Sequence, residues 1–323
     1  MKRRIMKRKI MNLAAVVAAV ALFAAPVSAA GHFSGEPVDT AGTYSSDNVT
    51  KTYDFRGFTG LDISGSFEVT LTKSSAYKVV VTYPAEIEKY VIVRVEGNDL
   101  KIGWKSVPAN LQSRLKNRCT AEISMPELRE LEMGGATSLQ CADSFDLGNF
   151  AEFSMDLSGA STVKSLCVKS GEFECELSGA SRVDFDGDFR KAELEISGAS
   201  NANFDINADR AGIEVSGASH VEVNGKFGNV DIESSGAGSV ELAGSAGNLS
   251  IDASGAGKVN TKNLEAENVT VEATGASNCC VRAVRSLTVI DVNGASTVKY
   301  SAPKDVNPIV RSCGRASHIK RVD

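Results

Sequence analysis

The segment Leu194-Glu195-Ile196-Ser197-Gly198-Ala199-Ser200 returns nineteen residues later as Ile213-Glu214-Val215-Ser216-Gly217-Ala218-Ser219. Gly-Ala-Ser, or a close variant, occurs nine times, and the gaps between successive glycines are 24, 20, 19, 19, 19, 19, 20 and 19 residues. A fixed period of this length is typical of a solenoid, in which each repeat buries its apolar side against its neighbours. The nine glycines are Gly135, Gly159, Gly179, Gly198, Gly217, Gly236, Gly255, Gly275 and Gly294.

Apolar and polar residues alternate on the N-terminal side of each glycine. The positions four and two residues before the glycine are mostly apolar, and so is the position four residues after it. Period two with one apolar face indicates β-strands, and the absence of a helical period excludes an α-solenoid. The sequence therefore predicts an all-β fold, a right-handed parallel β-helix with coils of about 19–20 residues and a less regular N-terminal β cap.

The Gly-Ala step interrupts this alternation and predicts a corner of the coil. Glycine there would supply a bend or a left-handed conformation that a Cβ atom would obstruct. The small polar residue before it, as in Ser178 and Ser197, predicts a ladder of hydroxyls bonded to the backbone. A second corner is indicated by stacked turn residues that each lie seven positions before their glycine, Asn229, Asn248 and Asn268.

The chain divides into a targeting segment, a linker and one domain. Residues 1–29 have a basic n-region, an apolar stretch from Leu13 to Ala25 and small residues at Val27-Ser28-Ala29, which is the pattern of a secretory signal peptide. Residues 30–52 read as a linker, 53–130 as an N-terminal β lobe and 131–323 as repeat coils. The expected location is the periplasm, the outer-membrane surface or the medium, with no transmembrane segment after cleavage.

Net charge and the positions of the cysteines limit which binding partners and which covalent links are expected. Loss of the signal peptide would change the formal net charge from −5 to −11, which disfavours nucleic acid and anionic lipid as partners. The first cysteine is Cys119, so a lipoprotein is not expected. The seven cysteines do not recur with the repeat and are interpreted mainly as small apolar core residues, although one disulfide remains open.

A carboxylate lies three residues before every one of the nine glycines. It falls between two inward positions and therefore points outward, so stacking would place these groups about 4.8 Å apart. The row could be a solvated face, a cation-binding face or part of a catalytic cluster. The hypothetical Ca²⁺ face consists of Glu176, Glu195, Glu214, Glu233 and Asp252.

No catalytic or cofactor-binding residues emerge from the remaining pattern. His32, His220 and His318 lie in different parts of the chain, and Arg182, Arg210 and Arg282 are scattered. A polysaccharide lyase or hydrolase would need clustered acids with a nearby cation, and it stays open as an alternative. The aromatic residues concentrate before residue 105. They either cap the stack or offer glycan contacts, with Tyr77, Tyr83, Tyr90 and Trp104 as the candidates.

Four features follow one another along the chain: the opening Phe58-x-x-Leu61-x-Ile63-Ser64-Gly65, the turn at Gly97-Asn98-Asp99, the Ser-Gly-Ala-Ser coils and the close at Tyr300 to Ile319. In this order they resemble the GIN domain, the head domain of auto-transporter adhesins common in Bacteroidetes. The resemblance covers roughly Tyr53 to Val322. It implies a β-helix, an exported or surface location, and adhesion or binding to a glycan or other cell-surface ligand. A cell-envelope structural role remains an alternative, and the resemblance supplies no catalytic motif.

Overall fold

The computed structural model describes residues 48–112, 115 and 119–322, all within one compact unit. The predicted signal peptide, 1–29, and most of the predicted linker lie outside the described residues. None of the described helices is long and apolar enough to cross a bilayer.

The N-terminal part contains seven strands, a 3₁₀ helix and a short α-helix. Its helical turn and its loop fall where proline interrupts the strand pattern, after Pro84 and Pro108. The elements are β1 (Asn48–Tyr53), β2 (Gly60–Gly65), β3 (Phe67–Lys73), β4 (Lys78–Pro84), the 3₁₀ helix (Ala85–Tyr90), β5 (Val91–Glu96), β6 (Asp99–Trp104), α1 (Ala109–Gln112) and β7 (Cys119–Met125).

The remainder forms a β-solenoid with about 19 residues per coil, as the glycine spacing predicts. From Arg182 to Val292 each coil contributes one long strand that bends around the core, and neighbouring coils pair in parallel. The strands are β8 (Glu130–Gly135), β9 (Ser138–Gln140), β10 (Ser144–Asp146), β11 (Glu152–Leu157), β12 (Thr162–Lys169), β13 (Glu172–Leu177), β14 (Arg182–Ile196), β15 (Asn201–Val215), β16 (His220–Ser234), β17 (Ser239–Ala253), β18 (Lys258–Ala273), β19 (Asn278–Val292), β20 (Thr297–Ser301), β21 (Ile309–Val310) and β22 (His318–Arg321).

The parallel register places equivalent residues of successive coils directly over one another. Leu194 pairs with Ile213, which pairs with Ile232, and all three are buried. Phe173 and Phe185 stack with ring centroids 4.7 Å apart in the same core. The apolar alternation in the sequence therefore corresponds to continuous buried columns, which the hydrophobic effect stabilises at every coil.

Each Gly-Ala-Ser tripeptide forms a tight corner. Gly217 has φ +74°, and a Cβ added there would lie 2.5 Å from the carbonyl oxygen of Gly198 in the preceding coil. The next amide, Ala218 N–H, donates to that same oxygen at 2.8 Å. The buried hydroxyl of Ser200 donates to the carbonyl of Ser197 at 3.1 Å. Both the left-handed conformation and the exclusion of a Cβ atom are confirmed.

The predicted side-chain ladders are also present. The amide of Asn248 donates to Asn229 at 2.7 Å, and that of Asn268 donates to Asn248 at 3.0 Å. Before the corner, the hydroxyls of Ser178 and Ser197 each donate to a carbonyl of the preceding coil, at 3.4 and 3.1 Å. These side-chain hydrogen bonds join the same register positions of successive coils that the backbone hydrogen bonds join.

The structure adds a first coil that the sequence period does not reveal. Strands β2 and β3 form this coil around Gly65, and β2 pairs in parallel with β8, so that Gly65 is the register partner of Gly135. The chain between β3 and β8 passes to the other side of this coil, where β6 and β7 pair in parallel with β2 and β3, and then returns to begin β8. This excursion separates the two corner glycines by 70 residues and hides the repeat.

The excursion and β1 build the N-terminal cap. Strands β1 and β7 both pair antiparallel with β4, and β5 forms an antiparallel hairpin with β6. Strand β1 starts at Asn48, so the predicted linker boundary at residue 52 is wrong by five residues. The alternating Val49-Thr50-Lys51-Thr52-Tyr53 segment has the β-branched and aromatic residues that suit a strand paired on one edge.

All seven cysteines are free, and Cys119, Cys141, Cys175 and Cys279 are buried. Burial raises the pKa of Cys279 to about 12. This agrees with their interpretation as small apolar core residues.

The corner predicts a specific cost for adding one methyl group. We expect Gly217→Ala to lower the free energy of unfolding by about 3 kcal/mol, because it combines a strained positive φ with an overlap against a backbone oxygen. Urea denaturation of the purified variant measures this. Gly97→Ala is the matched control, since Gly97 has φ +64° but no atom within 4 Å of an added Cβ. It should cost only about 1 kcal/mol, and equal losses in the two variants would show that the backbone contact is unimportant.

Candidate binding face

The outward carboxylates form one continuous column along the solenoid. Register partners run from Asp62 to Glu132, from Glu132 to Asp156, and onward through every coil to Asp291. Each step is one strand spacing, about 4.8 Å. The carboxylate column comprises Asp62, Glu132, Asp156, Glu176, Glu195, Glu214, Glu233, Asp252, Glu272 and Asp291.

Sequence reasoning missed Asp62, the tenth member of the column. The signal was present, because Leu61-Asp62-Ile63-Ser64-Gly65 has the same pattern as Leu194-Glu195-Ile196-Ser197-Gly198. The missing Ala-Ser after Gly65 and the long excursion concealed it. The column therefore has ten carboxylates over about 43 Å.

A second column of hydroxyls runs beside the carboxylates. It occupies the position immediately before the corner glycine in eight of the ten coils, two residues beyond the carboxylate on the same side of the strand, and Gly134 and Asn293 stand there in the other two. The two columns are therefore about 6–7 Å apart. The hydroxyl column comprises Ser64, Ser158, Ser178, Ser197, Ser216, Ser235, Ser254 and Thr274. We call the surface that carries both columns the column face.

One cation closes the N-terminal end of the carboxylate column. Strand β6 pairs with β2 and places Lys101 beside Asp62, with Lys101 Nζ 2.6 Å from Asp62 Oδ2. The hydrogen bond from Lys101 to Asp62 is the main cause that raises the pKa of Lys101. At the other end, the Asn293 amide donates to Asp291. The carboxylates at both ends of the column thus accept hydrogen bonds from neighbouring side chains, Lys101 at one end and Asn293 at the other.

Crowding of like charges changes the acidity of two column members. Partial removal from water, together with the charges on Asp62, Glu130 and Asp156, raises the pKa of Glu132 to about 7. Partial burial and the flanking column carboxylates likewise raise the pKa of Glu195. Adjacent charges at this spacing repel by about 1 kcal/mol in water, so the column is held in place by the sheet that carries it.

The five residues of the hypothetical Ca²⁺ face occupy consecutive positions of the column. Among the described residues, no three histidine, cysteine or acidic side chains converge on a point where one metal ion would be held. A ladder spreads its oxygens along a line, whereas Ca²⁺ takes six to eight oxygens around one centre. A cation at these residues stays a prediction.

The aromatic candidates lie in the N-terminal cap. Tyr83 is 1 % exposed, so its ring is a core element and the expectation that it contacts a glycan is wrong. Tyr77 packs on Phe58 and donates its hydroxyl to the Phe58 carbonyl at 3.1 Å. Trp104 packs on Phe67 with ring centroids 5.2 Å apart. These contacts favour the capping role that the sequence left open.

Tyr90, the fourth aromatic candidate, is half-buried, and the Lys89 ammonium lies 5.0 Å from its ring centroid.

The scattered cations and histidines do not assemble into a catalytic cluster with the column. Arg282 is ion-paired with Glu265 at 2.8 Å, and His220 lies 3.0 Å from Glu222. Arg182 and Arg210 belong to different stretches of their coils, at the start and in the second half of a long strand. His32 lies outside the described residues.

The raised pKa of Glu132 predicts a pH-dependent stability. Its folded-state pKa of about 7 exceeds the ordinary value of 4.5, so protonated Glu132 stabilises the fold fully below about pH 4.5 and this contribution is lost as the pH rises through 7. We expect the melting temperature to fall between about pH 5 and pH 8 and Glu132→Gln to flatten that fall. Glu68→Gln, which removes an exposed carboxylate outside the column, should keep the wild-type slope. An unchanged slope in Glu132→Gln would assign the titration elsewhere.

Comparison with known proteins agrees with the fold. Three solved structures each match 86 % of this chain and 98 % of their own. Two are from Parabacteroides distasonis, a "putative adhesin" (14 % identity, TM-score 0.51) and a "putative lipid binding protein" (15 %, 0.50). The third is a "putative adhesin" from Parabacteroides merdae (13 %, 0.50). No curated protein matches the chain.

A family model matches residues 57–226 and 202–303, which together include the first coil, the cap apart from β1 and the whole column face. The resemblance read from the sequence is thereby confirmed. The chain belongs to the family described as "Putative auto-transporter adhesin, head GIN domain".

Proposed function

We propose that the protein is an exported, adhesin-like module that binds a neutral or basic polysaccharide on its column face. The observation that carries the proposal is the pair of parallel columns, with a carboxylate in each of ten coils and a hydroxyl beside it in eight of them. The adhesin family and the secretory pattern of residues 1–29 support a location outside the cytoplasm.

The chemistry of the two columns suits sugar hydroxyls. Ionised carboxylates accept hydrogen bonds from hydroxyl donors, and such charge-assisted bonds are roughly twice as strong as neutral ones. The serine hydroxyls already donate to backbone carbonyls in several coils, as Ser197 does to Leu177. Their oxygens keep lone pairs that can accept from a ligand. The face therefore offers acceptors that fit the donor-rich edge of a glycan.

Repetition converts weak contacts into retention. A single coil offers only two or three contacts to a sugar. Eight of the ten coils offer the same pair of groups at regular intervals, so that a polymer bound at one coil meets the next at high effective concentration. A regular extended array fits an extended, repetitive ligand better than a small molecule, which would need a concave pocket.

The negative charge of the column face limits which polysaccharides can bind to it. A line of carboxylates repels uronic acids and sulfated sugars, whereas amino sugars would pair with it. Column members Glu195, Glu214 and Glu233 are exposed. Neutral and amino-sugar polymers are thus the expected ligands.

Retention on immobilised polysaccharides tests the proposal. The chain from residue 30 onward should bind a neutral or amino-sugar polymer and not an acidic one. Glu195→Gln with Glu214→Gln should weaken retention about tenfold or more, because two charge-assisted bonds become neutral ones. Glu222→Gln with Glu265→Gln removes the same charge outside the column and should leave retention unchanged. Equal losses in both double variants, or no retention on any polymer, would refute the proposal and favour a structural envelope role.

The same incubation separates binding from catalysis. New reducing ends or unsaturated products would identify a hydrolase or lyase on this scaffold. Glu132, with its pKa near 7 between Asp62 and Asp156, is the described carboxylate best suited to donate a proton. Loss of product formation in Glu132→Gln, with retention intact, would establish the enzyme.

A direct melting experiment tests the cation hypothesis for Glu176, Glu195, Glu214, Glu233 and Asp252. If adjacent carboxylates share Ca²⁺, the melting temperature should rise with millimolar Ca²⁺, because a ligand that binds only the folded state stabilises it. Glu195→Gln with Glu214→Gln should abolish the rise, and equal ionic strength in NaCl is the control. An unchanged melting curve would leave the column as a metal-free surface.

A further inference from the structure

The charge of the protein is divided sharply between the body of the solenoid and its last coil. Between residues 130 and 296 the chain has twenty-six carboxylates and eleven lysines and arginines. Between residues 297 and 322 it has six lysines and arginines and a single carboxylate, Asp305. The acidic net charge of the whole chain therefore hides a basic end, which we call the terminal coil (residues 297–322).

Ion pairs are less frequent among the cations of the terminal coil than in the body, where five of the eleven lysines and arginines are paired with a described carboxylate. In the body, cations such as Lys169, Lys191 and Lys258 lie 2.7–3.0 Å from a carboxylate oxygen. Within the described part of the chain, no such ion pair involves the basic residues Lys299, Lys304, Arg311, Arg315 and Lys320.

Two of these cations are stacked directly. Lys299 in β20 is the register partner of Lys320 in β22, about one strand spacing away. Two like charges at this distance repel each other, so an anion bound against both lysines would stabilise the pair. Arg311 and Arg315 follow β21 in the same coil and add planar donors that suit phosphate oxygens.

The terminal coil also exposes large apolar side chains. Among described residues, only Phe150, Val284, Ile309 and Val310 are exposed large hydrophobics, and two of them are the whole of β21. Val310 pairs with the buried Val289 but is itself 44 % exposed, because it lies at the end of its column. Ile309 is 62 % exposed. Apolar residues thus adjoin the basic ones at one end of the solenoid.

Protection of the sheet edge explains only part of this arrangement. Charged residues on an edge strand discourage pairing with another sheet, and Lys320 and Arg321 on β22 fit that role. Edge protection does not call for exposed Ile309 and Val310, which increase the hazard. If two copies met at their terminal coils, two sets of positive charges would face each other. This repulsion disfavours a second copy as the partner of the terminal coil.

We propose that the terminal coil docks on an anionic phospholipid surface. Its lysines and arginines contact lipid phosphates, and Ile309 and Val310 enter the boundary between headgroups and acyl chains. The acidic body is repelled by the same surface, which orients the solenoid with its terminal coil toward the lipid and its N-terminal cap away from it. The column face remains free in this orientation, so the inference is independent of glycan binding.

Co-sedimentation with vesicles tests the proposal. The chain from residue 30 onward should partition onto phosphatidylcholine vesicles containing about one third phosphatidylglycerol, and binding should weaken steeply with salt. Arg311→Gln with Lys320→Gln should lower the partition coefficient about 25-fold, at about fivefold per charge. Ile309→Ser should lower it while leaving the salt dependence unchanged. Lys226→Gln with Lys262→Gln, which removes two exposed cations from the body, is the matched control and should bind as wild type.

Three results would overturn the proposal. They are absence of binding to anionic vesicles, equal binding to pure phosphatidylcholine, and equal losses in the two double lysine or arginine variants. Sedimentation equilibrium without vesicles tests the other possible partner of the terminal coil, a second copy of the protein. Self-association lost both in Arg311→Gln with Lys320→Gln and in Glu195→Gln with Glu214→Gln would assign the basic end to the acidic column of a neighbouring molecule instead. Melting curves confirm that each variant is folded.

Discussion

The contact between corner glycines of successive coils is the constraint on which the rest of the structure depends. Each corner donates an amide hydrogen to the glycine carbonyl one coil earlier, as Ala218 does to Gly198 at 2.8 Å. No side chain fits between the two backbones, and the positive φ of the glycine turns the strand without a longer loop. The same contact at every coil prevents register slips, which would move inward residues to the surface.

A fixed register has both favourable and unfavourable consequences, because it places like residues over like. Where the residue is apolar, stacking excludes water, as in the phenylalanine cluster around Phe173. Where it is asparagine, donor meets acceptor over three successive coils, from Asn229 to Asn268. Where it is a carboxylate, the same register brings like charges together, and their repulsion adds to partial burial in raising the pKa of Glu132 and Glu195. A structural role alone would be served as well by serine or threonine at these positions, which is why the column is the feature that suggests binding.

The sequence predicted the parts of the molecule that repeat and missed those that do not. The period gave the coils, the corner, the asparagine ladder and nine of ten column carboxylates, because each is a local consequence of parallel stacking. It did not give the first coil, since the excursion after Lys73 interrupts the period while the chain returns in register. It did not give the pairing of Lys101 with Asp62 either, because that contact joins strands 39 residues apart through a topology unique to the cap. Nor does a sequence pattern reveal that Tyr83 is buried, because alternation marks which side of a strand a residue occupies but not what covers it.

The net charge of the whole chain was a poor guide to its binding partners, also because the solenoid is built from successive coils. An average over the chain describes a compact globule tolerably, since every part of its surface lies near every other. In a solenoid each coil contacts only its neighbours, and the two ends are separated by several Debye lengths, each about 8 Å at physiological ionic strength. A ligand at the terminal coil therefore meets the six cations there and is screened from most of the acidic body. The relevant quantity is the charge of a coil, and by that measure the same protein presents an acidic face to one partner and a basic end to another.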